Sequence, residues 1–159
     1  MSEAAESAPA ESADVAIRPA TAADAAGIAD VYLAAFHATY AFPLAHTDEQ
    51  VRDWLAGIVA GEPRTWVAEA DGRLVAMIVL DDDGIDQLYV DPAWHGRGIG
   101  GRLVELAKSE RPQGLALYTF QVNDRARRFY ERHGFVATWF GDGSANEERQ
   151  PDVRYEWRP

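Results

Sequence analysis

The residues best suited to chemistry lie in a glycine-rich stretch, Val90 to Leu103. Four glycines fall within six residues there, directly before a segment whose apolar residues recur at helical spacing. Glycine has no Cβ, so its backbone can approach a ligand closely. The first turn of a helix adds unpaired N–H groups and the positive end of the helix dipole. A strand, a glycine loop and a helix start in this order are typical of a phosphate or pyrophosphate site.

One interpretation of this stretch is a dinucleotide site, because Gly96 to Gly101 matches the pattern GxGxxG. That fingerprint should directly follow the first strand of a βαβ unit and should precede an acidic residue by about 20 positions. Here Asp91 to Trp94 separate the predicted strand from the glycines, and Thr119 to Gln121 contain no acid. The sequence therefore disfavours a dinucleotide-dependent oxidoreductase.

The same stretch resembles the acetyl-CoA pyrophosphate loop of the GNAT superfamily of N-acetyltransferases. That family's pattern is Gln or Arg, two residues, Gly, one residue, and Gly or Ala. Gly98 and Gly100 match it, and His95 stands where the family has Gln or Arg. A second segment fits the family's Asn-x-x-Ala-x-x-Phe-Tyr-x-x-x-Gly-Phe pattern at every position, with Asn123, Ala126, Phe129, Tyr130, Gly134 and Phe135. The resemblance covers about residues 16 to 140.

The resemblance implies where acetyl-CoA would be held. The pyrophosphate would lie on backbone N–H groups of the glycine loop, with Arg97 and Arg102 adding charge at the rim. A backbone N–H of the preceding strand would donate to the acetyl carbonyl. Asn123 would contact the cofactor arm while also serving as a helix N-cap, and Tyr130 would be the general acid. The residues assigned to acetyl-CoA are Leu88, Tyr89, Val90, His95, Gly96, Arg97, Gly98, Ile99, Gly100, Gly101, Asn123 and Tyr130.

The sequence identifies the general base and the residues that bind the acceptor less directly than the residues that bind acetyl-CoA. Some members of the family carry a Glu on the strand before the Asn, but Tyr118 occupies that region here. Asp86, on the preceding strand, is therefore the candidate catalytic base, and His37, His46 or a chain of waters are the alternatives. We assign four residues to the acceptor: His37, Tyr40, Glu147 and Glu148.

The elements that must position these groups are predicted from the pattern of apolar residues. Residues 1–14 have no apolar face and are predicted to be a disordered acidic tail, and residues 15–159 to be one GNAT domain. The expected order is β-αα-βββ-α-β-α-ββ, a mixed α/β fold with a mostly antiparallel central sheet flanked by helices. Thr21 with Asp24 and Thr47 with Gln50 predict helix starts. Asp71-Gly72 predicts a type I′ hairpin turn.

Composition and charge limit the partners of this chain. It has no cysteine, a net charge of −11, and four histidines without metal-ligand spacing, so we expect no metal site. An acidic surface disfavours nucleic acid and suits a small cationic molecule or a basic peptide. No apolar run is long enough for a membrane span, and the amino terminus lacks signal-peptide regions. We expect a cytoplasmic protein without membrane contact, and a homodimer is compatible with the sequence.

These inferences converge on an acetyl-CoA-dependent N-acetyltransferase. The expected reaction transfers the acetyl group to a primary amine of a small cationic molecule by direct attack in a ternary complex. An acetyltransferase acting on a protein or peptide, at its amino terminus or at lysine, is the alternative. A catalytically idle acyl-CoA-binding domain is a third hypothesis, which the presence of both Asn123 and Tyr130 disfavours.

Overall fold

The computed structural model describes residues 14–62 and 64–159, which form two antiparallel sheets and four α-helices. The first sheet has the order β1-β2-β3-β4, and the second has the order β5-β7-β6. The strands are β1 Ala16–Pro19, β2 Thr65–Ala70, β3 Arg73–Leu80, β4 Ile85–Val90, β5 Leu115–Phe120, β6 Val136–Gly141 and β7 Asp152–Trp157. The helices are α1 Ala25–Thr39, α2 Asp48–Ala60, α3 Ile99–Glu110 and α4 Asp124–Arg132, with short 3-10 turns at Ala22–Asp24 and Pro92–Trp94. The predicted element order is confirmed. The predicted tail lies outside the described residues except for Asp14.

Local sequence signals produce the expected helix starts and hairpin. Thr47 accepts a hydrogen bond from the Gln50 backbone N–H at 3.1 Å, and the Gln50 side chain accepts one from the Thr47 N–H at 2.9 Å. This reciprocal pair begins α2 at Asp48. Asp71 and Gly72 both have positive φ, 54° and 75°, as a type I′ turn between β2 and β3 requires.

The end of β5 differs from its predicted position. The apolar run predicts a strand from Leu115 to Val122, but β5 ends at Phe120. The Asn123 N–H bonds to the Phe120 carbonyl at 3.0 Å, so the chain turns there. The Gln121 amide nitrogen fixes this turn by donating to the carbonyls of Gly141 and Asp152 at 3.0 and 2.9 Å. The early turn places Asn123 directly before α4.

The separation of β4 from β5 creates the main cleft of the molecule. These two strands run parallel, but their one bridge joins Gly84, just before β4, to Ala116. Gly84 has φ of +157°, and a Cβ there would clash with the backbone of Ala116, so this contact requires glycine. Beyond the bridge β4 pairs only with β3, within the part of the chain that the structure describes. β4 and β5 therefore splay apart beyond Gly84 and Ala116.

Helices cover both faces of the first sheet. Alternate residues of β2 and β3, such as Val67 and Met77, pack against Ile28 of α1 and Leu55 of α2. The opposite face, including Ile78, packs in the second core cluster, to which α3, α4 and the second sheet also contribute. No helix among the described residues is long and apolar enough to cross a membrane.

Candidate active site

A cavity of about 670 Å³ follows the glycine loop. The end of β4, the loop, the start of α3 and one side of α4 form its walls. Eleven of the twelve residues predicted for acetyl-CoA line it, and Arg97 is the exception. Those eleven are Leu88, Tyr89, Val90, His95, Gly96, Gly98, Ile99, Gly100, Gly101, Asn123 and Tyr130. We call this cavity the cofactor groove.

Two glycines of the loop expose backbone to the cofactor groove. Gly96 and Gly98 have φ of +78° and +79°, and a Cβ on either would meet nothing within 4 Å. Gly98 is the N-cap of α3, and it has no side chain with which to satisfy the N–H groups of the first helical turn. Gly98 to Gly101, which begin α3, line the groove, and the first turn of a helix is a typical anion site.

The other two glycines bring α4 close to α3. A Cβ on Gly100 would lie 3.2 Å from the Phe129 ring, and one on Gly101 would lie 3.2 Å from the His133 ring. Phe129 and His133 both line the groove. The four glycines therefore divide into a pair that shapes the loop and a pair that allows the two helices to pack.

His95 closes the glycine loop onto β4. Its Nε2 lies 3.1 Å from the Val90 carbonyl oxygen. Because a carbonyl only accepts, Nε2 carries the proton in this contact. Burial and the nearby Arg125 lower the pKa of His95, which favours the neutral ring. This residue thus orders the loop without adding charge, where the family has Gln or Arg.

Arg97 and Arg102, the two arginines predicted at the rim of the loop, are not among the residues that line the groove. Arg102 donates to the Val15 carbonyl at 3.0 Å, and the Arg97 guanidinium lies 4.6 Å from the Trp94 ring centroid. Two arginines that sequence reasoning missed, Arg125 and Arg132 on α4, line the groove. Their seven-residue separation puts them on one face of the helix, a signal that the sequence contains.

A second cavity, of about 330 Å³, lies between β4 and β5. Asp86 and Tyr40 line it, as predicted for the base and the acceptor side. We call it the acceptor cleft. It shares five lining residues with the cofactor groove, so the two cavities meet at Leu88, Tyr89, Asn123, Ala126 and Tyr130.

The acceptor cleft is strongly acidic. Five carboxylates and one guanidinium line it: Asp81, Asp83, Asp86, Glu148, Asp152 and Arg154. The Asp81 carboxylate accepts from the backbone N–H groups of Asp83 and Gly84, at 2.9 and 2.8 Å, and so caps a turn. Asp83 lies 3.7 Å from the Arg154 guanidinium. The other three carboxylates that line the cleft, those of Asp86, Glu148 and Asp152, would contribute negative charge toward a ligand.

The surroundings of Tyr130 and Asp86 raise the pKa of both groups. Tyr130 is 7% exposed, and burial raises the pKa of its hydroxyl, which therefore stays protonated at neutral pH. Asp86 is exposed overall, but partial desolvation of its carboxylate, together with the negative charge of Asp81, raises its pKa. A higher pKa makes a carboxylate a stronger proton acceptor.

Asn123 joins α4 to α1 across the meeting point of the two cavities. Its Oδ1 accepts from the Ala126 N–H at 3.0 Å, which caps α4. Its Nδ2 donates to the Tyr40 hydroxyl at 2.8 Å. The predicted N-cap role is confirmed, and the residue also fixes Tyr40 in the wall of the acceptor cleft.

His37, His46 and Glu147 lie outside both cavities. The exposed His37 ring is 3.8 Å from Asp48. His46 Nε2 is 3.0 Å from Glu147 Oε1, and this contact raises the pKa of His46. Glu148 differs from Glu147, because it lines the acceptor cleft while accepting from the Ala45 N–H at 3.2 Å.

Known proteins resemble this chain in sequence and in fold. A family model described as an acetyltransferase (GNAT) domain matches residues 61–137. The peptidyl-lysine N-acetyltransferase YjaB of Salmonella typhimurium is 36% identical over 95 residues, 59% of this chain and 61% of that protein. The chain thus matches less than two thirds of that relative's length. YjaB of Escherichia coli is 33% identical over 103 residues, 64% of this chain and 68% of that protein. The solution structure of apo-form YjaB from Escherichia coli has a TM-score of 0.74 at 24% identity, covering 90% of this chain and 97% of that one.

Proposed function

The chain belongs to the GNAT acetyltransferase family, and we propose that it is an acetyl-CoA-dependent N-acetyltransferase that acts on a primary amine of a small cationic molecule. One observation carries this proposal: the glycine-loop groove and the acidic cleft meet at Tyr130 and Asn123. A donor held in the first cavity and an acceptor held in the second would therefore react at that junction.

The cofactor groove fits acetyl-CoA in its backbone chemistry. Gly96, Gly98 and the first turn of α3 offer N–H groups to a pyrophosphate without an intervening side chain. Arg125 and Arg132 add positive charge to the wall of the groove. Leu88 to Val90 present the strand edge that no partner strand covers in the described part of the chain. A polar cofactor arm lying there would satisfy backbone groups that are costly to bury unpaired.

Asp86 would act as the general base of the reaction, and Tyr130 would act as its general acid. Acetyl-CoA supplies the acetyl group as a thioester, and the N–C bond forms as the C–S bond breaks. The acceptor amine must lose a proton to become nucleophilic, and Asp86 would accept it, directly or through water. Tyr130 would donate its hydroxyl proton to the departing sulfur.

The charge and size of the acceptor cleft support a small cation as acceptor. Asp86, Glu148 and Asp152 raise the local concentration of positively charged molecules. A volume of about 330 Å³ is at the lower end of the range of small-molecule sites, roughly 300–1,000 Å³.

A lysine side chain of a protein is the second candidate acceptor. The names of the YjaB relatives favour it, because both are peptidyl-lysine N-acetyltransferases. Lysine carries a primary amine on a flexible four-carbon stem, so it could enter the same cleft.

An acceptor screen tests the proposal. The protein is incubated with acetyl-CoA and either small amines or lysine-containing peptides, and both free thiol and acetylated product are measured. Fastest turnover of small cationic amines supports the proposal, while turnover confined to peptides supports the second candidate. Tight acetyl-CoA binding without turnover on any amine would indicate an idle acyl-CoA-binding domain.

A further inference from the structure

Three arginines of α4 have no partner within the described part of the chain. Arg125, Arg128 and Arg132 are exposed, and none of them makes a hydrogen bond or an ion pair with a described residue. Other arginines are engaged; Arg18, for example, lies 2.8 Å from the Asp24 carboxylate. With a net charge of −11, the chain has no shortage of carboxylates. The three guanidinium groups on this one helix are therefore available to an anion from outside the chain.

Two of these arginines lie in the wall of the cofactor groove, and that wall contains no carboxylate. Arg125 and Arg132 line the groove, whereas Arg128 does not. The chain has 26 acidic residues, of which five line the acceptor cleft, yet none of the described residues that line the groove is acidic. A cleft lined by charges of one sign attracts ligands of the opposite sign. The groove is therefore suited to an anion, in contrast to the acidic molecule around it.

Arg125 and Arg132 act at two different places along the groove. The charge of Arg125 reaches the glycine loop, because burial and this guanidinium both lower the pKa of His95. The charge of Arg132 reaches His133, whose pKa is lowered by burial, by Lys108 and by Arg132. Seven residues of α-helix separate the two arginines by roughly 10 Å along the helix axis. The groove therefore offers two separate contacts to negatively charged groups.

Acetyl-CoA carries phosphate at two positions of one ribose. Its pyrophosphate is attached to the 5′ carbon and a phosphomonoester to the 3′ carbon, so a groove that holds the whole molecule meets both groups. Under the proposed function the pyrophosphate lies on the glycine loop, where the charge of Arg125 acts. Arg132 then remains for the 3′-phosphate. A phosphomonoester carries roughly 1.5–2 negative charges at neutral pH, and an arginine can bind it with two parallel hydrogen bonds.

We propose that Arg132 determines cofactor specificity by binding the 3′-phosphate of CoA, so that the protein selects CoA over 3′-dephospho-CoA. The inference rests on the proposed function, since it describes how the acetyl donor of that reaction is chosen. The 3′-phosphate is remote from the thioester, so its contact with Arg132 is the same before and during acetyl transfer. Arg132 therefore acts on the affinity for the donor and on KM, and not on kcat.

The test compares the binding of CoA and of 3′-dephospho-CoA to the full chain by calorimetric titration, which requires no acceptor and no turnover. We expect CoA to bind about tenfold or more tightly, because hydrogen bonds to charged groups contribute that much. Arg132→Gln should weaken binding of CoA alone and so abolish the preference. Arg128→Gln is the matched control, because it removes the same charge from the same helix outside the groove. It should retain the preference. Both variants should keep the wild-type melting temperature, since neither arginine has a partner to lose.

Several outcomes would overturn the assignment of Arg132. Equal wild-type affinity for CoA and 3′-dephospho-CoA would do so without any variant. A preference that survives in Arg132→Gln would do so as well, and so would an equal loss of affinity for both compounds, which would place Arg132 at the pyrophosphate. If the wild type binds both compounds equally and still acetylates small amines, this inference fails while the proposed function stands. If neither compound binds, the proposed function fails and this inference fails with it.

Discussion

Replacement of Gly98 by alanine tests the pyrophosphate site most directly. Gly98 has φ of +79° and ψ of 6°, and a Cβ there would meet nothing within 4 Å. Alanine therefore encounters no steric neighbour, but it must adopt the left-handed conformation at a cost of about 1–2 kcal/mol. In a protein of this length that cost lowers the melting temperature by about 2–8 °C.

The effect of Gly98→Ala on binding should exceed its effect on stability. The added methyl group would stand between the loop backbone and a pyrophosphate oxygen. Hydrogen bonds to charged groups contribute about 1.5–3 kcal/mol each. Loss of one such bond predicts a Kd for acetyl-CoA that rises roughly ten- to hundredfold.

Gly72→Ala is the matched control for this substitution. Gly72 has φ of +75°, and its Cβ would also meet nothing within 4 Å, but it lies in the hairpin between β2 and β3. We expect the same loss of stability in both variants and weaker acetyl-CoA binding in Gly98→Ala alone. Calorimetric titration and thermal denaturation without ligand measure the two effects. If the wild type, Gly98→Ala and Gly72→Ala all bind acetyl-CoA with the same Kd, the pyrophosphate does not lie on this loop.

Three further variants test the acid, the base and the charge of the acceptor cleft. Tyr130→Phe should lower kcat by about 10² or more with little change in acetyl-CoA affinity, and a wild-type kcat would leave Tyr130 with a packing role. Since partial desolvation and Asp81 raise the pKa of Asp86, wild-type kcat/KM should fall as the pH drops through that raised pKa, above the range of an ordinary aspartate. Asp86→Asn should remove this acidic limb, and a limb that persists would assign it to another group. Glu148→Gln should raise KM for a cationic acceptor, whereas Glu147→Gln should not, because only Glu148 lines the cleft. Equal effects on KM would refute that distinction.

The parts of the fold that the sequence predicts are those with local causes. The capping pair of Thr47 and Gln50 and the turn at Asp71-Gly72 involve residues at most three positions apart. The need for glycine at positions 96 and 98 is also local, because each residue has a positive φ in its own backbone. Such features do not depend on which distant segments later pack against them.

Contacts between distant segments explain what the sequence could not predict. Glu147 and Glu148 are adjacent in one acidic loop, yet Glu147 contacts His46 and Glu148 lines the acceptor cleft. Their partners in the connection between α1 and α2 are more than 100 residues away. The burial of Asp152 has the same origin, because it follows from the placement of β7 between β5 and β6. In the sequence Asp152 stands with Glu147 and Glu148 as one of three carboxylates expected near the acceptor, and no local signal marks it as buried.

The cleft between β4 and β5 is fixed at two points by contacts of different kinds. Gly84 and Ala116 join the strands through their backbones, and the Asn123–Tyr40 hydrogen bond joins α4 to α1. Both links are made by the chain's own residues, so the position of these elements does not depend on contacts with a ligand. Asn123 keeps one N–H and one oxygen lone pair beyond its bonds to Tyr40 and Ala126. It can therefore hold the cleft open and still bind a cofactor arm there, so the N-cap role and the contact implied by the family resemblance are compatible.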